Sequence, residues 1–255
     1  MYEADSIGWH VEKVDLGVDE AGRGPALGPL VVCAISMPKE DRRILSDLGV
    51  KDSKKLSKKR REEIYQEIIA QSVSMNWSIA VEICEAERID KWMSNGNLNS
   101  LEVKLFSEAI CKVANPAKKP SIFVDACDVD EARFGKNVMA SLGSEWLKCE
   151  ICSLHKLDEK DSLVGAASII AKKVRDDEVE KLSKQVGIEL GSGYPADPLT
   201  KIAIRELCNL EMPHECLRWS WSNVKRVWIE ENKRPLPKRY LDEGEKTQTA
   251  IHEWK

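Results

Sequence analysis

The sequence predicts an α/β protein: a mixed sheet of five strands with helices on its faces. Three observations carry this. Five short apolar stretches, at residues 13–19, 30–36, 73–81, 121–125 and 147–154, read as strands. Longer stretches of helical period separate them, in the order strand, strand, helix, strand, two helices, strand, helix, strand, helix. The chain has 255 residues, 42% of them hydrophobic, which suffices for one sizeable core and a small appended domain.

The first strand is read from Val14, Leu16 and Val18, which alternate with Lys13, Asp15 and Gly17 as in a half-buried strand. It ends on Asp19-Glu20 and runs into Gly22-Arg23-Gly24-Pro25, where the glycines permit positive φ and close backbone approach to a ligand. With the second strand it suggests an antiparallel pair joined by a long connection. Residues 51–61 follow, with seven basic residues and one acid. Ser57 is placed to cap a helix whose apolar face holds Ile64, Ile68 and Ile69. The cations at its start oppose the helix dipole. Two readings of them stand: a solvated helix face, or a contact to phosphate. After the third strand, helices span 86–93 and 101–113, with Asn99 as a candidate cap for the second. The fourth strand ends on Asp125. A helix over 131–142 and the fifth strand lead to His155-Lys156-Leu157-Asp158. The long helix over 162–184 has a small face of Ala166, Ala167, Ser168 and Ala171, suited to close packing on a sheet. Beyond Gly191 the texture changes. Asp197-Pro198 reads as an N-cap with proline at N1, opening a helix to about Asn209, and another helix covers 223–232. From Lys233 the chain reads as a loosely held tail. The expected division is therefore 13–190, 191–232 and 233–255.

Net charge is −4, so global charge does not signal nucleic acid and local charge must be weighed instead. No apolar run approaches the roughly 18 residues of a membrane span, and the first ten residues do not form a secretory signal. Eight cysteines sit singly, as at Cys33, Cys84, Cys111 and Cys127, apart from one Cys149-x-x-Cys152. That pattern suits buried thiols in a reducing cytoplasm and does not suit a zinc site. The four histidines lie at unrelated spacings and offer no nucleophile–histidine pair.

Acids stand at the ends of three separate strands: Asp19 and Glu20, Asp125, and Asp158. Functional groups gather where strand ends meet, and four carboxylates in one place call for cations. Two Mg²⁺ ions about 4 Å apart would use them as a clamp for phosphoryl displacement.

The chain closely resembles the type 2 ribonucleases H, their archaeal and eukaryotic branch in particular. The resemblance rests on Val18-Asp19-Glu20-Ala21-Gly22-Arg23-Gly24-Pro25, Asp52-Ser53-Lys54, Asn97-Leu98-Asn99 and Val124-Asp125. It continues through Asp158 with residues 166–172, Arg175-Asp176, and Gly191-Ser192-Gly193-Tyr194-Pro195 to Asp197-Pro198. It implies a ribonuclease H-like fold with a small helical C-terminal extension completing the substrate groove. It implies endonucleolytic cleavage of RNA in RNA–DNA hybrids and at single ribonucleotides embedded in duplex DNA, with Mg²⁺ or Mn²⁺. Asp19, Glu20, Asp125 and Asp158 match the metal-binding catalytic acids. Gly22, Arg23 and Gly24 match a loop whose backbone reads the ribose 2′-hydroxyl, Lys54 a phosphate contact, and Tyr194 an aromatic that stacks at the RNA–DNA junction. The partner is nucleic acid, with no membrane, and the chain is expected as a cytoplasmic monomer. Leu157 and Lys173 depart from the family's usual Ala and Val, and neither is a proposed ligand.

Two other classes compete. A non-catalytic nucleic-acid-binding protein explains the basic run and Tyr194 but leaves phosphate-repelling acids unexplained, and metal-dependent cleavage separates the two. A nucleotide-binding protein would use the glycine loop, yet the loop lacks G-x-x-x-x-G-K-[ST] and no G-x-G-x-x-G opens a helix there. Trp219 and Trp221 read as packing residues, and His155 as a structural or solvated histidine.

Overall fold

Strands β1 (Val14–Ala21), β2 (Leu30–Pro38), β3 (Ser78–Cys84), β4 (Ser121–Asp125) and β5 (Glu150–Leu154) form one sheet in the order β3-β2-β1-β4-β5. The structure is a computed structural model describing residues 13–50 and 57–239. Strands β1, β4 and β5 run parallel, with Val18 beside Val124 and Val124 beside Ser153. The Lys39 N–H donates to Lys13 C=O, which brings the end of β2 to the start of β1. Strand β1 is buried on both faces, Asp15 and Gly17 included, so it is a central strand rather than a half-exposed one. Gly17 is required there. A Cβ would lie 2.7 Å from the Leu163 backbone, so its absence lets α6 (Ser162–Val186) approach the strand. The predicted small face of α6 is buried throughout, at Ala166, Ala167, Ser168 and Ala171.

The helices before α6 are α1 (Arg42–Leu48), α2 (Lys58–Ser74), α3 (Ala86–Met93), α4 (Leu98–Val113) and α5 (Glu131–Leu142); α7 (Pro198–Cys208) and α8 (Ser222–Asn232) follow it. Ser57 caps α2 as expected, accepting from the Arg60 N–H, and Ile64 and Ile68 are buried. Arg60 is engaged by Glu63 at 3.1 Å and Glu67 at 3.6 Å, so that cation belongs to the solvated helix face. Asp197 caps α7 with Pro198 at N1.

Several boundaries differ from expectation. Strand β3 begins at Ser78, not at residue 73, because α2 continues to Ser74 before Asn76 turns left-handed at φ 56°. Strand β5 begins at Glu150, because Ser144–Trp146 form a 3₁₀ turn ahead of it. Helix α1 has no counterpart in the sequence reading. Its Arg42 pairs with Asp15 and Asp161 and stacks on Phe123. Helix α4 starts before Asn99: Asn97 accepts from the Ser100 N–H, and Asn99 lies in the first turn. All eight cysteines are free, and Cys111 is exposed rather than buried.

The described residues fall into two compact units. The first takes them from Met1–Ala21, Val32–Glu82 and Glu102–Lys173; the second from Gly22–Val31, Ile83–Leu101 and Val174–Lys255. These units do not follow the expected boundary at 190/191. Ala26, Leu27, Val179 and Leu190 share one buried cluster with Ala203, Leu207, Trp219 and Trp228, and Leu27 bridges Leu217. Burial of that apolar surface groups the glycine loop with the C-terminal helices. Trp219 is a packing residue, its Nε1–H donating to His214 C=O. Residues 233–239 are pinned rather than loosely held. Trp228 donates to Pro235 C=O, Arg234 to Glu211 C=O, and Arg239 pairs with buried Asp90 at 2.7 Å. No helix among the described residues is long and apolar enough to cross a membrane.

Candidate active site

In the first unit, parallel register brings Asp19 and Asp125 to the same level. Val18 pairs with Val124, so the next residue of each strand is an aspartate. Asp158 reaches them from a 3₁₀ turn, Leu157–Glu159, after β5. Lys156 turns left-handed at φ 55° just before it, and the Leu157 N–H donates to Asp125 Oδ1 at 3.0 Å. A Cβ on Gly165 would lie 2.9 Å from Asp158 C=O, so glycine lets α6 approach this turn. Each of Asp19, Asp125 and Asp158 offers an oxygen within 4.8 Å of the others, and Asp19 and Asp158 are buried to 3% exposure.

Asp19 accepts from the Glu20 N–H at 2.8 Å and from Ser168. Burial raises its carboxyl well above the ordinary aspartate value, and the charges of Glu20 and Asp125 raise it further; Ser168 and Lys172 act the other way. Lys172 Nζ lies 2.6 Å from Ser168 Oγ and 3.6 Å from Asp158 Oδ2. Ser168 and Lys172 stand four residues apart on α6 and so present one face to the acids. An all-oxygen cluster of carboxylates with a carboxyl held against ionisation suits a hard divalent cation.

Glu20 belongs to a second grouping: its carboxylate, that of buried Glu102 and the Cys127 thiol lie within 4.8 Å of one another. The sequence alone gives neither Glu102 nor Cys127 a place in the site. The signal that could have found Cys127 is its position two residues beyond Asp125. His155 is held structurally, Nε2 2.6 Å from Asp128 C=O and Nδ1 3.1 Å from Glu131 Oε1. Leu157 is buried, and Lys173 turns to Glu62 at 3.3 Å and to the Tyr65 ring.

In the second unit, Gly22 has φ +91°, and a Cβ there would lie 2.6 Å from Arg175 Cδ and 2.7 Å from Pro29 C=O. Only glycine fits. Arg23 donates to Asn99 Oδ1 at 2.7 Å, which gives Asn99 a role other than the expected cap. Gly24 faces the Tyr194 ring: a Cβ would sit 3.5 Å from Cε1. The Ala26 N–H donates to Gly193 C=O and the Gly193 N–H to Thr200 Oγ1, tying the two loops together. Arg175 donates to Ser192 C=O and lies 5.5 Å from the Tyr194 centroid, and Tyr194 as a residue is 44% exposed. Lys54 lies outside the described residues.

A family model described as Ribonuclease HII matches residues 16–224. The ribonuclease HII of Methanocella arvoryzae is 42% identical over 217 residues, 83% of this chain and 90% of that protein. The ribonuclease H2 of Pyrococcus horikoshii OT3 superposes with a TM-score of 0.75 at 35% identity, covering 87% of this chain and 100% of that one. The ribonuclease HII of Archaeoglobus fulgidus, in a structure with PCNA, has a TM-score of 0.70 at 35% identity over 82% of this chain and 95% of that one.

Proposed function

The chain belongs to the ribonuclease HII family of metal-dependent endonucleases, and from that premise we propose that it cuts both the RNA strand of RNA–DNA hybrids and single ribonucleotides embedded in duplex DNA. The products are 5′-phosphate and 3′-hydroxyl ends. The observation that carries this reading is the gathering of Asp19, Asp125 and Asp158 within 4.8 Å. These three, with Glu20, would hold two Mg²⁺ or Mn²⁺ ions. When bound, the cations supply activation of the attacking water and neutralise charge on the leaving 3′-oxygen.

The chain's own residues do the rest. Ser168 and Lys172 fix Asp19 and Asp158 and limit their mutual repulsion. The backbone of Gly22-Arg23-Gly24 approaches the ribose and hydrogen-bonds the 2′-hydroxyl, the group that separates RNA from DNA. Tyr194, steadied by Arg175, stacks on the adjoining deoxyribose at the RNA–DNA junction. Lys54 contacts phosphate. The likeness to the Archaeoglobus protein also motivates PCNA as a partner, which co-elution with the recombinant clamp would test.

The deciding experiment is cleavage of a DNA duplex carrying one ribonucleotide, mapped at nucleotide resolution with Mg²⁺ and with EDTA. One cut beside the ribonucleotide, lost in EDTA, is expected. Cutting in EDTA, or none in Mg²⁺ or Mn²⁺, would refute the reading.

A further inference from the structure

Arg218 is fully buried, and all its guanidinium bonds reach one segment of chain almost 200 residues earlier. Nε donates to Gly28 C=O at 3.0 Å, one terminal nitrogen to Arg23 C=O at 3.0 Å, and the other to Gly22 C=O at 2.6 Å. Its own backbone N–H donates to Ala26 C=O at 2.9 Å. The following turn is fixed in its place, because Asp90 accepts from the Trp219 and Ser220 N–H groups, and the guanidinium stacks 5.0 Å from Trp221. Burial and neighbouring Arg175 push the Arg218 guanidinium down to about 9, which leaves it charged at neutral pH.

None of the described peptides is cis, and in a trans peptide the N–H points opposite the C=O. The peptide that carries Gly22 C=O also carries the Arg23 N–H; the one that carries Arg23 C=O carries the Gly24 N–H. Gripping both carbonyls therefore directs two successive N–H groups to the side away from Arg218. Successive N–H groups on one side form a concavity that favours an electron-rich oxygen. A planar fork with donors in fixed directions can hold three carbonyls at once; an ammonium on a flexible stem cannot hold them in the same geometry.

We propose that Arg218 is a positioning residue for ribose recognition: it locks the peptide planes of the glycine loop so that the Arg23 and Gly24 N–H groups meet the 2′-oxygen of the substrate. This rests on the ribonucleotide reading given above and adds to it the residue that sets the specificity. Arg218 touches no substrate, and its effect passes through the loop.

The test is binding, in EDTA to block cleavage, of a DNA duplex with one embedded ribonucleotide and of the same duplex in all-DNA form. Wild type should prefer the ribonucleotide. In Arg218→Lys, affinity for the all-DNA duplex should stay within about twofold of wild type, and the preference should fall at least tenfold. A folded Arg218→Lys that weakens both duplexes equally, or keeps the preference, overturns the proposal and leaves Arg218 a packing residue. If wild type shows no preference while still cutting beside the ribonucleotide in Mg²⁺, the loop proposal fails and the cleavage reading survives. Should Arg218→Lys not fold, NMR of wild type decides: the Arg23 and Gly24 amides should shift and gain exchange protection with the ribonucleotide duplex alone. Equal response to both duplexes, or none, overturns it.

Discussion

Asp19→Asn should destroy cleavage and yet stabilise the metal-free protein. Asp19 is buried, and its carboxylate lies within 4.8 Å of those of Asp125 and Asp158. Two unit charges 4.8 Å apart repel by about 3.5 kcal/mol at an effective dielectric of about 20. Lys172 and Ser168 offset part of this, and partial protonation removes more, so the net gain from neutralising Asp19 should be roughly 1–3 kcal/mol near pH 8. For a chain of this size that is a Tm rise of several degrees. Asparagine keeps an oxygen to accept the Glu20 N–H, so the change isolates charge from shape. The pH dependence has a definite sign. The Asp19 carboxyl is raised in the native state by burial, then by Glu20 and Asp125. Its contribution to stability is whole below the unfolded aspartate value of about 3.9 and is lost as pH climbs through the raised native value. The variant's advantage should therefore grow with pH. Melting curves in EDTA from pH 5 to 8 read it directly. In saturating Mg²⁺ wild type should recover through binding to its native state, and the variant should gain far less. A variant less stable than wild type in EDTA at pH 8, or an advantage independent of pH, would refute the electrostatic account of the site. Retention of more than about a tenth of wild-type cleavage would refute the metal assignment.

Tyr194→Ala should lower kcat/KM at an RNA–DNA junction more than on an all-RNA strand in a hybrid, because the exposed ring is steadied by Arg175 for stacking; an unchanged ratio would make Tyr194 a general binding residue. Lys172→Met should lower metal-free stability by about 1 kcal/mol while tightening Mg²⁺ binding measured calorimetrically, since it removes a cation 3.6 Å from Asp158. Weaker metal binding in that variant would show that Lys172 shapes the site rather than competing for it. Arg239→Ala should cost about 3–5 kcal/mol in urea unfolding, because it leaves Asp90 buried beside Trp219 without its 2.7 Å partner; a loss under 1 kcal/mol would mean that the Trp219 and Ser220 N–H groups and the Ser220 hydroxyl suffice.

Local patterns in the sequence specify the strands that carry Asp19 and Asp125, the caps at Ser57 and Asp197, the small face of α6 and the family. All of these are local: alternation sets which face a residue takes, and a capping side chain meets an N–H only two or three residues away. Asp158 follows β5 in the sequence, but its approach to Asp19 and Asp125 depends on the left-handed turn at Lys156 and the bond from the Leu157 N–H to Asp125. Long-range packing, in contrast, sets Glu20 beside Glu102 and Cys127, turns Asn99 to Arg23 instead of to an α4 cap, and packs the glycine loop with α7 and α8. It alone decided that Arg218 grips the Gly22 and Arg23 carbonyls. The hydrogen bonds among those pairings join residues 76 to 196 positions apart. No local period specifies such a partner. It is chosen by which apolar surfaces bury together and by the need of each buried carbonyl and guanidinium to find its complement once water is gone.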